Sequence, residues 1–393
     1  MSRYDEEALA LHAKLRGKLD VQSKVAIRNQ DDLSLVYTPG VAAVCSAIEA
    51  DPERAAELTI RGNTIAIVSD GSAVLGLGNI GPRAAMPVME GKAMLFREYA
   101  GINGFPICLN TQNAQEIIMA CRWLTPTFGG INLEDISAPR CFEIESALQD
   151  LGIPVMHDDQ HGTAIVTLAA LLNAVQLTGR RIEDCRVVIN GAGAAGTAIA
   201  KLLRCIGHQP DVCIPVQDVL VCDSKGILSR KRTDLNSEKL RLLAYTNRSD
   251  LSGSLKDAIK GADVFIGVSK GDILGEQDVR TMAKDPILFA LANPNPEIMP
   301  DVALRAGAAV MGTGRSDFPN QINHVLAFPG IFRGALDAKS PVIDDTMKIA
   351  AAHALARCVP DPTPTKVLPS PLEKDVAPQV AKAVAEAAPK PCS

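Results

Sequence analysis

The stretch that decides the fold is CRVVINGAGAAGTAIAKLL, Cys185 to Leu203. A β-branched run ends at Asn190, and Gly191, Gly193 and Gly196 then follow in the spacing G-x-G-x-x-G before an apolar-striped helix opens at Thr197. In a strand–turn–helix context each glycine has a separate task. The first makes the tight turn, the second lets backbone amides approach a pyrophosphate, and the third lets helix and strand pack closely while the helix N-terminus faces the anion. Gly191, Ala192, Gly193, Ala194, Ala195 and Gly196 are therefore expected to bind a dinucleotide.

Downstream, the short apolar runs DVLVCD (Asp218 to Asp223), ADVFIGVS (Ala262 to Ser269), PILFALAN (Pro286 to Asn293) and AAVMGTG (Ala308 to Gly314) alternate with helical patterns. That alternation predicts a doubly wound parallel sheet. Asp223 ends the strand after the glycine turn, where an acid ordinarily takes the adenosine ribose hydroxyls. It lies 32 residues after Gly191 rather than about 20, and the insert IGHQPDVCIPVQ accounts for the difference. Asp223 would repel a 2′-phosphate, whereas Ser224 and Lys225 could receive one, so NAD and NADP both stay open.

Upstream, NTIAIVSDG, FPICLN, GGINLED and IPVMHDDQHG are strand-like runs separated by helical patterns, so a second α/β unit precedes the first motif. The expected organisation is α/β in two domains. Residues 1–160 form one, and residues 161–393 form a Rossmann-like doubly wound domain with a Pro-rich segment from Val359, a short terminal helix, VAPQVAKAVAEAA, and loose final residues. Helix is expected to about Leu19 and again from Val41 to Leu58, with Tyr37 at the intervening TPG turn.

The 40 basic and 45 acidic residues leave a net charge of -5, which gives no electrostatic case for nucleic acid. Nine Phe, four Tyr and one Trp are too few for a stacking surface. Ten cysteines without a CxxC pair read as buried reduced thiols in a cytoplasmic protein. The charged start has no apolar core of a secretory signal. The most apolar stretch, Ala164 to Leu177, falls short of the roughly 20 residues of a membrane span and reads as a buried helix.

Two pairs of acids stand at strand ends, Glu134 with Asp135 and Asp158 with Asp159. In a parallel sheet ligands collect outside the carboxyl ends of strands. Four converging carboxylates call for a cation, and oxygen-only donors suit Mg²⁺ or Mn²⁺. His157 and His161 flank the second pair at i, i+4 and raise zinc as a weaker alternative. Lys92 sits among small apolar residues, where burial and a nearby cation would lower its pKa enough for a neutral amine base; a snorkelling surface lysine is the plain alternative. A second glycine pattern, Gly76-Gly78-Gly81, runs into Pro82 and Pro87 and reads as a substrate-pocket loop. Asn293, in NPNPE, follows a strand and faces the interdomain cleft.

YTPGV, VSDGSAVLGLGNIGP, MPVMEGKAML, INLEDI, HDDQHGTA, GAGAAG, ALANPNPE and NQINHVLAFPGIFRGAL occur in an order that resembles the short bacterial-type malic enzymes, over roughly residues 20–337. The resemblance implies oxidative decarboxylation of L-malate to pyruvate with reduction of NAD⁺ or NADP⁺. It implies Lys92 as the base, Tyr37 as the acid and Asp158 as a carboxylate tuning Lys92. Glu134, Asp135 and Asp159 would hold the metal, Lys92, Asn293 and Asn323 would contact substrate, and Asn293 would lie beside the nicotinamide. It also implies a homodimer or higher oligomer. His324 stands where a second asparagine is expected, and Ser72-Ala73-Val74 replaces the arginine turn of larger members. A malolactic-type enzyme and a catalytically inactive nucleotide sensor are the competing readings.

Overall fold

The computed structural model describes residues 3–74, 77–207 and 212–389, and two parallel sheets organise them. The first has the order β2-β1-β3-β4, with β1 at Thr64–Ser69, β2 at Asn103–Cys108, β3 at Gly130–Leu133 and β4 at Val155–His157. β1, β3 and β4 are buried throughout, because helices cover both faces of the sheet. Helix Pro82–Ala100 lies on one side through Met89 and Phe96, and helices Ala114–Leu124 and Arg140–Ala147 lie on the other through Ile117, Cys121 and Ile144.

The second sheet has the order β10-β9-β8-β5-β6-β7. Its strands are β5 (Arg186–Asn190), β6 (Asp218–Asp223), β7 (Gly226–Ile227), β8 (Val264–Gly267), β9 (Ile287–Ala290) and β10 (Val310–Thr313). Only β7 runs antiparallel. The chain leaves β5 toward β6 and returns on its other side as β8, so a topological switch lies at the carboxyl end of β5, where such sheets bind ligands. There the glycine turn passes into helix Ala194–Leu203, and a Cβ on Gly196 would stand 1.8 Å from the Gly191 carbonyl oxygen.

The two sheets share one core. Helix Asp158–Leu177 starts directly after β4 and packs against helices Ala194–Leu203 and Asp345–Arg357. Helix Phe328–Asp337 returns to the first sheet's helix, placing Phe96 edge-on to Phe328 and Phe332 at 4.7 and 5.5 Å. Helix Val376–Ala387 closes over Phe328–Asp337.

The N-terminal region differs from this. Helix α1 spans Arg3–Leu15, shorter than the expected run to Leu19, as the backbone turns left-handed at Arg16 and Gly17. A helix the sequence reading passed over, α2 (Gln30–Val36), is capped by Asn29, whose side chain accepts from the Asp32 amide. α3 covers Val41–Ala50 and stops where Asp51 caps the next short turn. No residue from 4 to 63 is buried, and Leu33, Leu35, Val36, Val41 and Val44 are all at least partly in solvent. The stretch Gln30–Ala50 has the length and composition of a membrane span, but the turn at residues 37–40 divides it into two short helices.

The cysteine expectation also needs correcting. Cys121, Cys141, Cys185 and Cys222 are buried free thiols, but Cys45 is exposed, and Cys205 and Cys213 form a disulfide across the insert after helix Ala194–Leu203. The expected loose end falls partly on residues 390–393, outside the described residues.

Candidate active site

β3 and β4 pair in register, Leu133 opposite His157, so the acids that follow each strand emerge side by side. Asp158 and Asp159 occupy the first turn of a 20-residue helix, where the helix dipole favours negative charge. Glu134, Asp135 and Asp159 each present an oxygen within 4.8 Å of the others. Asp159 accepts from the Asp135 amide at 2.8 Å, and the Asn132 side-chain amide donates to Glu134 at 2.8 Å. Asp135 Oδ2 is buried without a partner. Burial pushes Glu134 up to about 7 and, with the charge of Asp159, Asp135 up to about 9. A buried oxygen without a partner, in a cluster of oxygens that resist ionisation, fits a hard divalent cation.

Glu134, Asp158 and His324 also lie close enough together to suggest a cation. That position belongs to the Lys92 ammonium, 2.5 Å from Asp158, 2.8 Å from Glu134 and 4.2 Å from the centre of the Phe328 ring. The expected lowering by burial is opposed here by the neighbouring acids. Burial does pull Lys92 down, but Asp158 and Glu134 outweigh it and the net shift is upward. Snorkelling is excluded, since Lys92 is only 5 % exposed. Gly162 makes the cage possible, because a Cβ there would stand 2.0 Å from Asp158 Oδ1 and 2.9 Å from His324 Cβ. His324 approaches Asp158 at 3.6 Å, and desolvation together with the charge of Lys92 shifts its pKa downward.

The histidine pair does not make a zinc site. His157 stands at the N-cap position of the helix without a side-chain capping bond, and no group of metal donors among the described residues includes His157 or His161. His161 instead pairs with Glu145 at 2.9 Å. Glu145, a residue sequence reading missed, takes the His157 amide at 2.9 Å on its other oxygen and so ties helix Arg140–Ala147 to the corner that carries Asp158 and Asp159. Burial opposes its ionisation, but His161 and Lys348 hold it down at about 2.

On the nucleotide side, Gly191, Ala192 and Gly193 line a cavity of about 820 Å³ with Asn190, Asp223, Ser224, Lys225 and Ser269. Asp223 lines this cavity and is hydrogen-bonded within the chain. Oδ1 takes the Lys225 amide at 2.9 Å and Arg232 at 2.8 Å, while Oδ2 takes Arg232 at 3.0 Å and Lys239 at 2.6 Å.

Asn293 lies exposed beyond β9, beside Gly314. Glu297, also overlooked, is fully buried and accepts from the Ser269 and Ala292 amides at 3.1 Å each, joining the loops after β8 and β9. Asn323 caps the short helix His324–Leu326 through the Val325 amide at 2.9 Å. Gly78 and Gly81 are described and Gly76 is not; Gly81 turns the chain into helix Pro82–Ala100.

Tyr37 is 66 % exposed at the end of α2, and among the described residues no hydrogen bond or ring contact joins its side chain to the Lys92 cage.

Against known proteins, residues 16–149 match the family described as "Malic enzyme, N-terminal domain" and residues 160–389 match "Malic enzyme, NAD binding domain". The chain is 55% identical over 387 residues to the bifunctional malic/malolactic enzyme of Bacillus subtilis, covering 98% of this chain and 92% of that protein. It is 54% identical over 375 residues to an NAD-dependent malic enzyme of Geobacillus stearothermophilus, covering 95% and 77%. The crystal structure of an NAD-dependent malic enzyme from Thermotoga maritima superposes with a TM-score of 0.92 at 48% identity, covering 97% of this chain and 99% of that one.

Proposed function

The chain belongs to the malic enzyme family, and from that premise we propose that it oxidises and decarboxylates L-malate to pyruvate and carbon dioxide, reducing NAD⁺ or NADP⁺. The observation that carries this reading is a buried ammonium, Lys92, clasped by Asp158 and Glu134 beside an acid cluster with an unpartnered oxygen. Residues 1–160 hold substrate and metal in this reading, and residues 161–393 hold the nucleotide.

Glu134, Asp135 and Asp159 would hold Mg²⁺ or Mn²⁺. Such an ion supplies Lewis acidity toward the oxygens of a hydroxy acid, and a nicotinamide supplies the hydride acceptor. The remaining work falls to side chains of this chain. Lys92 takes the C2 hydroxyl proton after yielding its own to Asp158, across the existing 2.5 Å contact. Asp158 suits that task because burial raises its affinity for a proton. Phe328 and the wall of helix Pro82–Ala100 keep water from the amine. Asn293 and Asn323 orient malate and the nicotinamide, and Tyr37 returns a proton to C3.

The chain acts as a homodimer in this reading. A Tyr37 that stands in solvent among exposed Leu33, Leu35, Val36 and Val41 is suited to reach the Lys92 cage of a second copy, whose surface would cover that apolar face.

Incubating the protein with malate, Mn²⁺ and each nucleotide tests the reaction. Pyruvate with stoichiometric reduced cofactor is expected. Lactate without net reduction would replace the proposal with the malolactic reaction, which the name of the Bacillus relative pairs with the malic one. Nucleotide binding without turnover would point to a sensor.

A further inference from the structure

The nucleotide cavity lies at the carboxyl ends of β5 and β6. A second cavity, of about 380 Å³, opens at the amino ends of the same two strands, and its origin is in the packing. Val188 and Leu220 stand opposite each other in the β5–β6 register and share an apolar cluster with Ala258 and Ala262. The helix that covers them, Leu255–Ala258, is only four residues long, and alanine is all that it and the following turn present to the cavity. Methyl groups do not fill the space that longer side chains would occupy, so a hollow with an aliphatic floor is left.

The rim is of the opposite character. Arg186 and Arg248 line it with Gln217 and Ser249, and among the described residues neither guanidinium has a hydrogen-bond or ion-pair partner. Asp218 is the only carboxylate among the lining residues described, and its oxygens already take the Val219 amide at 2.8 Å and the Arg248 amide at 3.1 Å. Asp263 and Asp250 stand close by but are paired with Arg180 and Arg230. Arg204 lies within electrostatic reach of Arg248 and Asp218, and its guanidinium is spent on the Val216, Gln217 and Tyr245 carbonyls, which cancel no charge. The guanidinium groups of Arg186, Arg204 and Arg248 thus stand against one carboxylate, so the hollow is left net positive.

We propose that this hollow is a second ligand site, separate from the glycine turn, and that it takes a small organic phosphate, with the phosphate on Arg186 and Arg248 and an apolar or flat body on Val188 and Leu220. The planar fork of a guanidinium matches phosphate oxygens two at a time, and the Ser249 hydroxyl and Gln217 amide supply neutral donors beside it. An inorganic ion would leave the aliphatic floor uncovered, and a wholly apolar ligand would leave both guanidinium groups unused. The volume is that of a small-molecule site, which runs from about 300 to 1,000 Å³. β5 is five residues long, so about 16 Å of strand separates the two cavities and their occupants do not compete.

Isothermal titration of the full-length protein with phenyl phosphate, without malate or metal, tests the site by affinity alone. Phenyl phosphate should bind equally well with and without saturating NAD⁺. Inorganic phosphate, which cannot use the floor, and benzoate, which carries a single charge, should each bind at least about tenfold more weakly. Arg186→Gln and Arg248→Gln should each weaken phenyl phosphate about tenfold or more, with circular dichroism unchanged. Both arginines are exposed, so each variant tests the site should the other fold poorly. Absence of phenyl phosphate binding at millimolar concentration would overturn the inference, as would its displacement by NAD⁺ or undiminished affinity in a folded arginine variant. Benzoate or inorganic phosphate binding as tightly as phenyl phosphate would overturn the assigned ligand class.

Discussion

Lys92 shows how much of a residue's chemistry its distant neighbours decide. In sequence it is a lysine among small apolar residues, and burial alone would lower its pKa. Its partner Asp158 is 66 residues away, and the pair reverses the sign of the shift. Lys92→Ala should reduce kcat by about 10²- to 10⁴-fold while nucleotide affinity by calorimetry stays unchanged; parallel loss of both would refute the assignment. Glu145 was illegible for a different reason. In sequence it is one more acid on a short helix, and only the fold delivers the His157 amide and the His161 ring to its two oxygens. Glu145→Gln should weaken Mn²⁺ binding about tenfold or more without altering nucleotide binding, as read by paramagnetic resonance of free Mn²⁺. Its pKa is depressed to about 2 in the folded protein, against about 4.3 when unfolded. Its stabilisation is therefore full above pH about 4.3 and disappears as pH falls toward 2. Melting temperatures of the wild type and the Gln variant should differ at pH 5 and converge toward pH 2; a constant difference would show that charge at Glu145 is not responsible.

At the scale of elements, the β5–glycine–helix unit was readable because its logic is local: strand, turn and helix are contiguous, and Gly196 is required by the close approach of its own neighbours. The acid pairs were readable through a rule of topology, since parallel strands put their carboxyl ends together, and pairing of β3 with β4 brings Glu134 and Asp135 beside Asp159. The strand end that carries Asp223 is legible in the sequence, but its contacts with Arg232 and Lys239 are not, because no spacing rule announces those residues in the segment after β7. α2 escaped notice because seven residues carry too little periodicity. The corner from β4 into helix Asp158–Leu177 depends on Gly162. Gly162→Ala should displace Asp158 or His324 and cut kcat by at least about tenfold, with circular dichroism unchanged. Full activity in a folded Ala variant would mean that the Lys92–Asp158 geometry is not required.

For the whole molecule, two parallel sheets and a shared core were implied by the alternation of strands and helices, but the return of helix Phe328–Asp337 onto Phe96 was not, as contacts across more than two hundred residues leave no periodic trace. The exposed α2–α3 region and Tyr37 extend the account to a pair of chains. Mixed dimers of Tyr37→Phe and Lys92→Ala chains should regain activity that neither variant has alone, because one of their two sites then holds both residues. No recovery after verified subunit exchange would place Tyr37 outside the partner's site. The claim on which the chemistry stands is that Glu134, Asp135 and Asp159 hold a divalent cation beside Lys92. The most direct measurement is the initial rate of malate-dependent nucleotide reduction after exhaustive chelation, followed by return of Mn²⁺ to the wild type and to Asp135→Asn. The rate should be lost on chelation and recovered in the wild type, with little or no recovery in the variant. A rate that survives chelation, or that Asp135→Asn recovers in full at the same Mn²⁺ concentration, would contradict that claim.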